Sequence, residues 1–78
     1  MTMQGLVKAY TVKGLDEDGL RGDAGRVRGI QVVKLEPVTG GHLVEFWISP
    51  PFGPEHAAEA ETILTARSSS FTAKGDAA

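Results

Sequence analysis

The chain has 78 residues, a formal net charge of −2 and no cysteine. The lack of cysteine excludes disulfides and thiolate metal sites, and the small negative charge gives no general attraction to nucleic acid. Hydrophobic residues at 41% and charged residues at 23% are typical of one globular domain rather than of a disordered chain. A domain this small buries little apolar surface, so we expect self-association to supply part of its stability.

The first predicted elements are a strand over residues 5–13 and a long loop over residues 14–25. Apolar residues occupy both parities of the strand, so the pattern alone does not say which face is buried. The loop contains four glycines and four acids in twelve residues. This composition favours a mobile connection, because glycine lets the backbone take many conformations and carboxylates prefer water.

A second strand is predicted over residues 26–36 and a third over residues 42–49. The parity of the apolar positions changes at Gly29, which predicts a β-bulge there. In the third strand, Val44, Phe46 and Ile48 form a continuous apolar face. Residues 37–41 connect the two strands, and the prolines at positions 50 and 51 end the third.

The last predicted element is a helix that starts at Pro54 and fades near Ser68. Proline is favoured at the first helical position, and apolar residues then recur at helical spacing as far as Phe71. Residues 72–78 are predicted to form a disordered tail. The expected fold is therefore α+β: a single domain over residues 1–71 with a three-stranded antiparallel meander followed by one C-terminal helix, in the order β-β-β-α.

One helix can cover only one face of such a sheet. If the helix packs on the face of Val44, Phe46 and Ile48, then Leu43 and Trp47 point away from it, and such an apolar pair on an open sheet is typical of a contact surface. Carboxylates in the acidic loop would steer a partner towards this surface. The predicted partner-binding residues are Trp47, Leu43, Asp16, Glu17, Asp18 and Asp23.

A second interpretation places a single-stranded nucleic acid on the sheet. Cations on strands can meet phosphates while aromatic rings stack on bases. The acidic total charge and Glu45, which shares a strand face with Trp47, argue against this interpretation. Its candidate residues are Lys8, Tyr10, Arg26, Arg28 and Lys34.

Motifs for catalysis, metal binding or cofactor binding are not recognisable in the sequence. The acidic loop lacks the ligand spacing of an EF-hand. Its glycines follow neither of the nucleotide-binding patterns Gly-x-Gly-x-x-Gly and Gly-x-x-x-x-Gly-Lys. His42 and His56 begin separate elements with no adjacent carboxylate motif, and Ser68–Ser70 lie outside a Gly-x-Ser-x-Gly elbow. We therefore expect no enzyme activity, no metal and no cofactor.

These patterns predict a small protein-binding module, such as an adaptor, an accessory subunit or an inhibitor, that occludes a partner's surface. An inhibitor encoded by a bacteriophage or another mobile element would fit the size. The expected partner is another protein, and a homodimer is also expected. The first residues contain no long apolar run, so we expect neither a signal peptide nor a membrane span, and a cytoplasmic location.

Overall fold

The computed structural model describes residues 5–76, which form one four-stranded antiparallel sheet and two helices. The sheet order is β2-β3-β1-β4, and a 3₁₀ turn at Pro54–His56 precedes the second helix. Because β1 and β2 both run antiparallel to β3, which lies between them, the order β-α-β-β-α-β is a split β-α-β arrangement. The elements are β1 Leu6–Lys13, α1 Glu17–Ala24, β2 Ile30–Val38, β3 Gly41–Ile48, α2 Ala57–Arg67 and β4 Ser70–Asp76.

The α+β class with an antiparallel sheet is confirmed, but the predicted count of three strands and one helix is wrong. The first error is at residues 14–25, where residues 17–24 form α1 instead of a loop. Asp16 caps this helix by accepting a hydrogen bond from the Gly19 backbone N–H at 3.1 Å. Leu20 and Ala24, four residues apart, lie on one side of the helix and are buried.

The second strand differs in its start and in the position of its bulge. Residues 26–29 connect α1 to β2, and Gly29 has a positive φ of 92° just before the strand begins. The register shifts between Val32 and Lys34, so the bulge lies four residues later than predicted. Pro37 belongs to β2, which can accept a proline because this strand is at the edge of the sheet.

The third error concerns the end of the chain. Helix α2 ends at Arg67, and Ser70–Asp76 form β4, which pairs with β1 along the second edge of the sheet. Phe71, predicted to continue the helix, lies opposite Val12 on the sheet. The predicted tail is therefore a strand over residues 72–76. Residues 1–4 and 77–78, which the predicted domain and tail include, lie outside the described part.

Both helices pack on the same face of the sheet. Their buried residues belong to one apolar cluster with alternate residues of β1 and β3. Tyr10 lies at its centre, with its ring edge-on to Phe46 and Phe71 at centroid distances of 5.9 and 5.8 Å. The cluster comprises Tyr10, Val12, Leu20, Ala24, Ile30, Val44, Phe46, Ile48, Ala57, Ala60, Ile63 and Leu64.

Candidate protein interface

The other sheet face carries no helix among the described elements. In antiparallel pairing, residues opposite one another point to the same face, so the register assigns each side chain. Trp47 lies opposite Val7 and Leu43 opposite Thr11, and all four face away from the helices. The same face carries Ala9 and Glu45 in the centre, Gln31, Lys34 and Glu36 on β2, and Thr72 on β4.

This face, which we call the open face, carries an apolar strip on β1 and β3 that Glu45 interrupts, and it is charged towards β2. Trp47, Leu43, Val7 and Thr11 are each half-buried by their neighbours, and Ala9 is 5% exposed. Lys34 lies opposite Glu45 across the β2–β3 pair, so opposite charges face one another beside the apolar strip. A strip of this kind with a polar border has the composition of a small protein-contact surface.

Trp47 is held in place by the backbone beside it. A Cβ atom added to Gly5 would lie 1.8 Å from the indole Nε1 and 2.6 Å from the carbonyl oxygen of Ile48. The indole therefore lies directly against the backbone of Gly5, and any residue with a side chain at position 5 would overlap the ring. The sequence pattern predicted that Trp47 projects freely from an open face. The contact with Gly5 explains why it is half-buried instead.

The four acids predicted to steer a partner lie at the helical layer rather than on the open face. Asp16 and Asp23 both accept hydrogen bonds from Arg67 of α2, and the shortest joins Arg67 Nε to Asp23 Oδ2 at 2.8 Å. Glu17 lies 3.6 Å from His42 Nε2 at the start of β3, and Asp18 is exposed. The structure therefore does not bring the acids together with Trp47.

The Asp23–Arg67 pair joins α1 to α2, and no sequence motif points to it. Two hydrogen bonds, at 2.8 and 3.2 Å, connect the guanidinium to the carboxylate of Asp23. These bonds lower the pKa of Asp23 and raise that of Arg67 from their ordinary values. The sequence did contain a signal for α1 itself. A capping aspartate, Asp16, followed by a glutamate is typical of a helix start.

The residues of the nucleic-acid interpretation are dispersed by the fold. Tyr10 is 1% exposed, and its O–H donates to Glu61 at 3.0 Å, so its ring cannot stack on a base. Lys8 shares the helix-facing parity of Tyr10, whereas Arg26 and Arg28 lie in the connection before β2. Of the five candidate residues, Lys34 alone is on the open face.

The two histidines lie at opposite ends of the sheet and form no shared site. His56 Nε2 is 2.7 Å from the carbonyl oxygen of Arg28, and its ring stacks on Phe52 at a centroid distance of 4.2 Å. His42 Nε2 approaches Glu17, and its Nδ1 atom is buried with no hydrogen-bond partner among the described residues. Within residues 5–76 there is no group of three or more metal-ligating side chains placed to hold an ion.

A small cavity opens between α1 and β2, at the edge of the sheet. Its volume is about 190 Å³, and its lining is formed by Arg21, Ala24, Gly25, Gln31 and Val32. Ala24, the last residue of α1, and Gly25, which follows it, are both small and leave this space beside the edge strand. The sequence contained no signal for it, since it depends on how the helix sits against the sheet.

Neither helix is long and apolar enough to cross a membrane, among the residues that the structure describes. No family model, no curated protein and no solved structure matches this chain.

Proposed function

We propose that this chain is a protein-binding module that acts through the open face, and that its first partner is a second copy of itself. The supporting observation is the apolar strip formed by Val7, Ala9, Leu43 and Trp47 on the side of the sheet opposite both helices. Two sheets packed face to face would remove this strip from water in both copies. In this role the protein occludes a surface and catalyses no reaction.

The dimensions of the open face limit the area that such a dimer can bury. Strands spaced about 4.8 Å apart, with about 3.3 Å per residue, make a face of roughly 500 Å² for four strands. The central strands have 8 residues each. Two copies would bury about 1,000 Å² in total, which is at the lower limit for a specific interface. We therefore expect a weak dimer with a dissociation constant in the micromolar range or above.

Sedimentation velocity over a range of protein concentrations tests this proposal. Leu43→Lys places a charge in the apolar strip, and Trp47→Ala removes its largest side chain. Each is expected to weaken the dimer by about tenfold or more, which corresponds to about 1.4 kcal/mol. Phe52→Ala is the matched control, because Phe52 is 37% exposed but lies outside the sheet and should leave dimerisation unchanged.

Two results would contradict the proposal. The first is a wild-type chain that stays monomeric at the highest concentration reached. The second is tight binding of a labelled oligothymidine at physiological salt, with an affinity that falls steeply as salt rises, because this pattern identifies phosphate binding. The expected result is oligothymidine binding no tighter than weak non-specific association, since the cationic candidates are dispersed.

A further inference from the structure

The first half of β2 is an unprotected sheet edge. β2 is one of the two outer strands, and no described element pairs with its outer side. Proteins commonly protect such edges with bulges, charges and prolines. In β2 these features all follow Val32: the bulge at Val33, the charges of Lys34 and Glu36, and Pro37. The segment from Ile30 to Val32 has none of them.

The hydrogen-bond pattern gives the direction of the backbone groups in this segment. The Ser49 N–H donates to the carbonyl oxygen of Gly29 at 2.8 Å, which makes these opposing residues a hydrogen-bonded pair. Hydrogen-bonded and non-hydrogen-bonded pairs alternate along an antiparallel ladder. The N–H and C=O groups of Ile30 and Val32 therefore point away from β3, where an added strand would meet them.

The cavity between α1 and β2 lies beside this segment. Val32 and Gln31 form one wall, and Ala24 and Gly25 form the other. Its volume of about 190 Å³ is enough for one medium-sized side chain. An extended segment that pairs with Val32 would direct alternate side chains towards the cavity.

The charges around the cavity favour an acidic occupant. Arg21 lines the cavity, is exposed, and its side chain makes no ion pair or hydrogen bond in the described part. Arg26 and Arg28 lie in the connection between the two walls and are exposed. Arg26 has only a 3.4 Å contact to Asp23, whose carboxylate is held more closely by Arg67. One guanidinium group, that of Arg21, therefore lines the cavity, and two further exposed arginines follow in the adjacent connection.

We propose that the Ile30–Val32 edge and the adjacent cavity bind an extended acidic peptide segment of a partner protein by β-strand addition. Backbone hydrogen bonds to Ile30 and Val32 hold the peptide, one side chain enters the cavity, and a carboxylate of the peptide meets Arg21. A nucleic acid offers the arginines its phosphates but has no peptide backbone to pair with the edge. The inference extends the proposed function, since it also requires protein binding, but it uses a different surface from the open face.

An mRNA-displayed library of random ten-residue peptides, panned against the full chain, tests the proposal. We expect the enriched peptides to combine β-branched residues with Asp or Glu, because the former favour strands and the latter pair with arginine. Titration of one enriched peptide, followed by NMR, should shift and protect the amides of Ile30 and Val32. Arg21→Glu should weaken that peptide by about tenfold or more, since it replaces attraction by repulsion.

Two glycines of the same helical segment provide a matched pair of variants. A Cβ at Gly25 would lie 3.4 Å from the nearest atom, so Gly25→Leu fits the backbone and places its side chain beside the cavity. A Cβ at Gly22 would meet nothing within 4 Å, and Gly22 does not line the cavity. Gly25→Leu should weaken the peptide by about tenfold or more, whereas Gly22→Leu should change its affinity by less than about twofold.

Three outcomes would overturn the inference. They are a library that enriches no peptide, an enriched peptide that perturbs the open face instead of the β2 edge, and amides of Ile30 and Val32 that respond to protein concentration without peptide. The last result would assign the edge to a second copy of the chain. Failure here is distinguishable from failure of the open-face dimer, because sedimentation of the Leu43→Lys and Trp47→Ala variants reports on that dimer alone.

Discussion

Replacement of Leu20 by alanine tests whether α1 is part of the core or a mobile loop. Leu20 has no exposed surface and belongs to the central apolar cluster. Its helix is the segment whose glycines and acids predicted a loop. A side chain in a mobile loop contributes little to the free energy of unfolding, whereas a packed leucine contributes a large share of it.

The expected loss can be worked out from the atoms removed. Leucine to alanine deletes three carbons, which account for about 2.4 kcal/mol at roughly 0.8 kcal/mol each. The unfilled cavity adds to this, and fully buried leucines give losses of about 3–5 kcal/mol. A domain of this length has a total stability of roughly 4–12 kcal/mol. Leu20→Ala should therefore remove about a quarter of the stability or more.

Urea denaturation followed by far-UV circular dichroism and Trp47 fluorescence measures this loss. With a slope of about 1 kcal/mol per molar urea, the midpoint should fall by about 3 M or the variant should be unfolded in water. Arg21→Ala is the control, because Arg21 is the next residue of the same helix and is exposed. A loss for Leu20→Ala below about 0.5 kcal/mol, similar to that of the control, would refute the packing of α1 on the sheet.

Three further predictions follow from individual contacts. The hydrogen bonds from Arg67 lower the pKa of Asp23 below its usual value of 3.8. The ionised carboxylate therefore stabilises the folded state above about pH 3.8, and this stabilisation is lost as the pH falls through the lower pKa of the folded state. Asp23→Asn should therefore flatten the acid limb of a plot of Tm against pH. Gly5→Ala should move the indole of Trp47 and shift its fluorescence maximum, because the new methyl group occupies the position of the ring; unchanged emission would contradict that contact. Tyr10→Phe should cost about 1 kcal/mol in urea denaturation, since it removes one hydrogen bond to a carboxylate on α2, and a stability equal to wild type would show that this bond contributes nothing.

The central strand was readable from the sequence because its pattern needs no knowledge of the rest of the chain. Strict alternation of Val44, Phe46 and Ile48 predicted a half-buried strand, and the structure buries all three under the helices. The same alternation placed Leu43 and Trp47 on the opposite face, as the register confirms. Two-residue periodicity is a property of the strand itself, so local sequence is sufficient.

The elements at 17–24 and 70–76 were not readable, because their local composition favours other states. Glycine and aspartate are poor helix formers, yet Leu20 and Ala24 gain enough burial against the sheet to hold α1 in place. β4 has a lysine, a glycine and an aspartate near its end, and it becomes a strand by pairing with β1. In both segments tertiary contacts outweigh propensity.

The sequence by itself determined the class of the fold, the position of its best strand and the existence of an apolar face that the helices leave uncovered. Only the tertiary structure decided where the charged residues lie, because it pairs Asp23 with Arg67 and buries Tyr10. It also decided that β2 is an edge strand with a cavity beside it. The physical reason is that periodicity is encoded residue by residue, whereas sheet order and charge pairing join residues that are far apart in the chain.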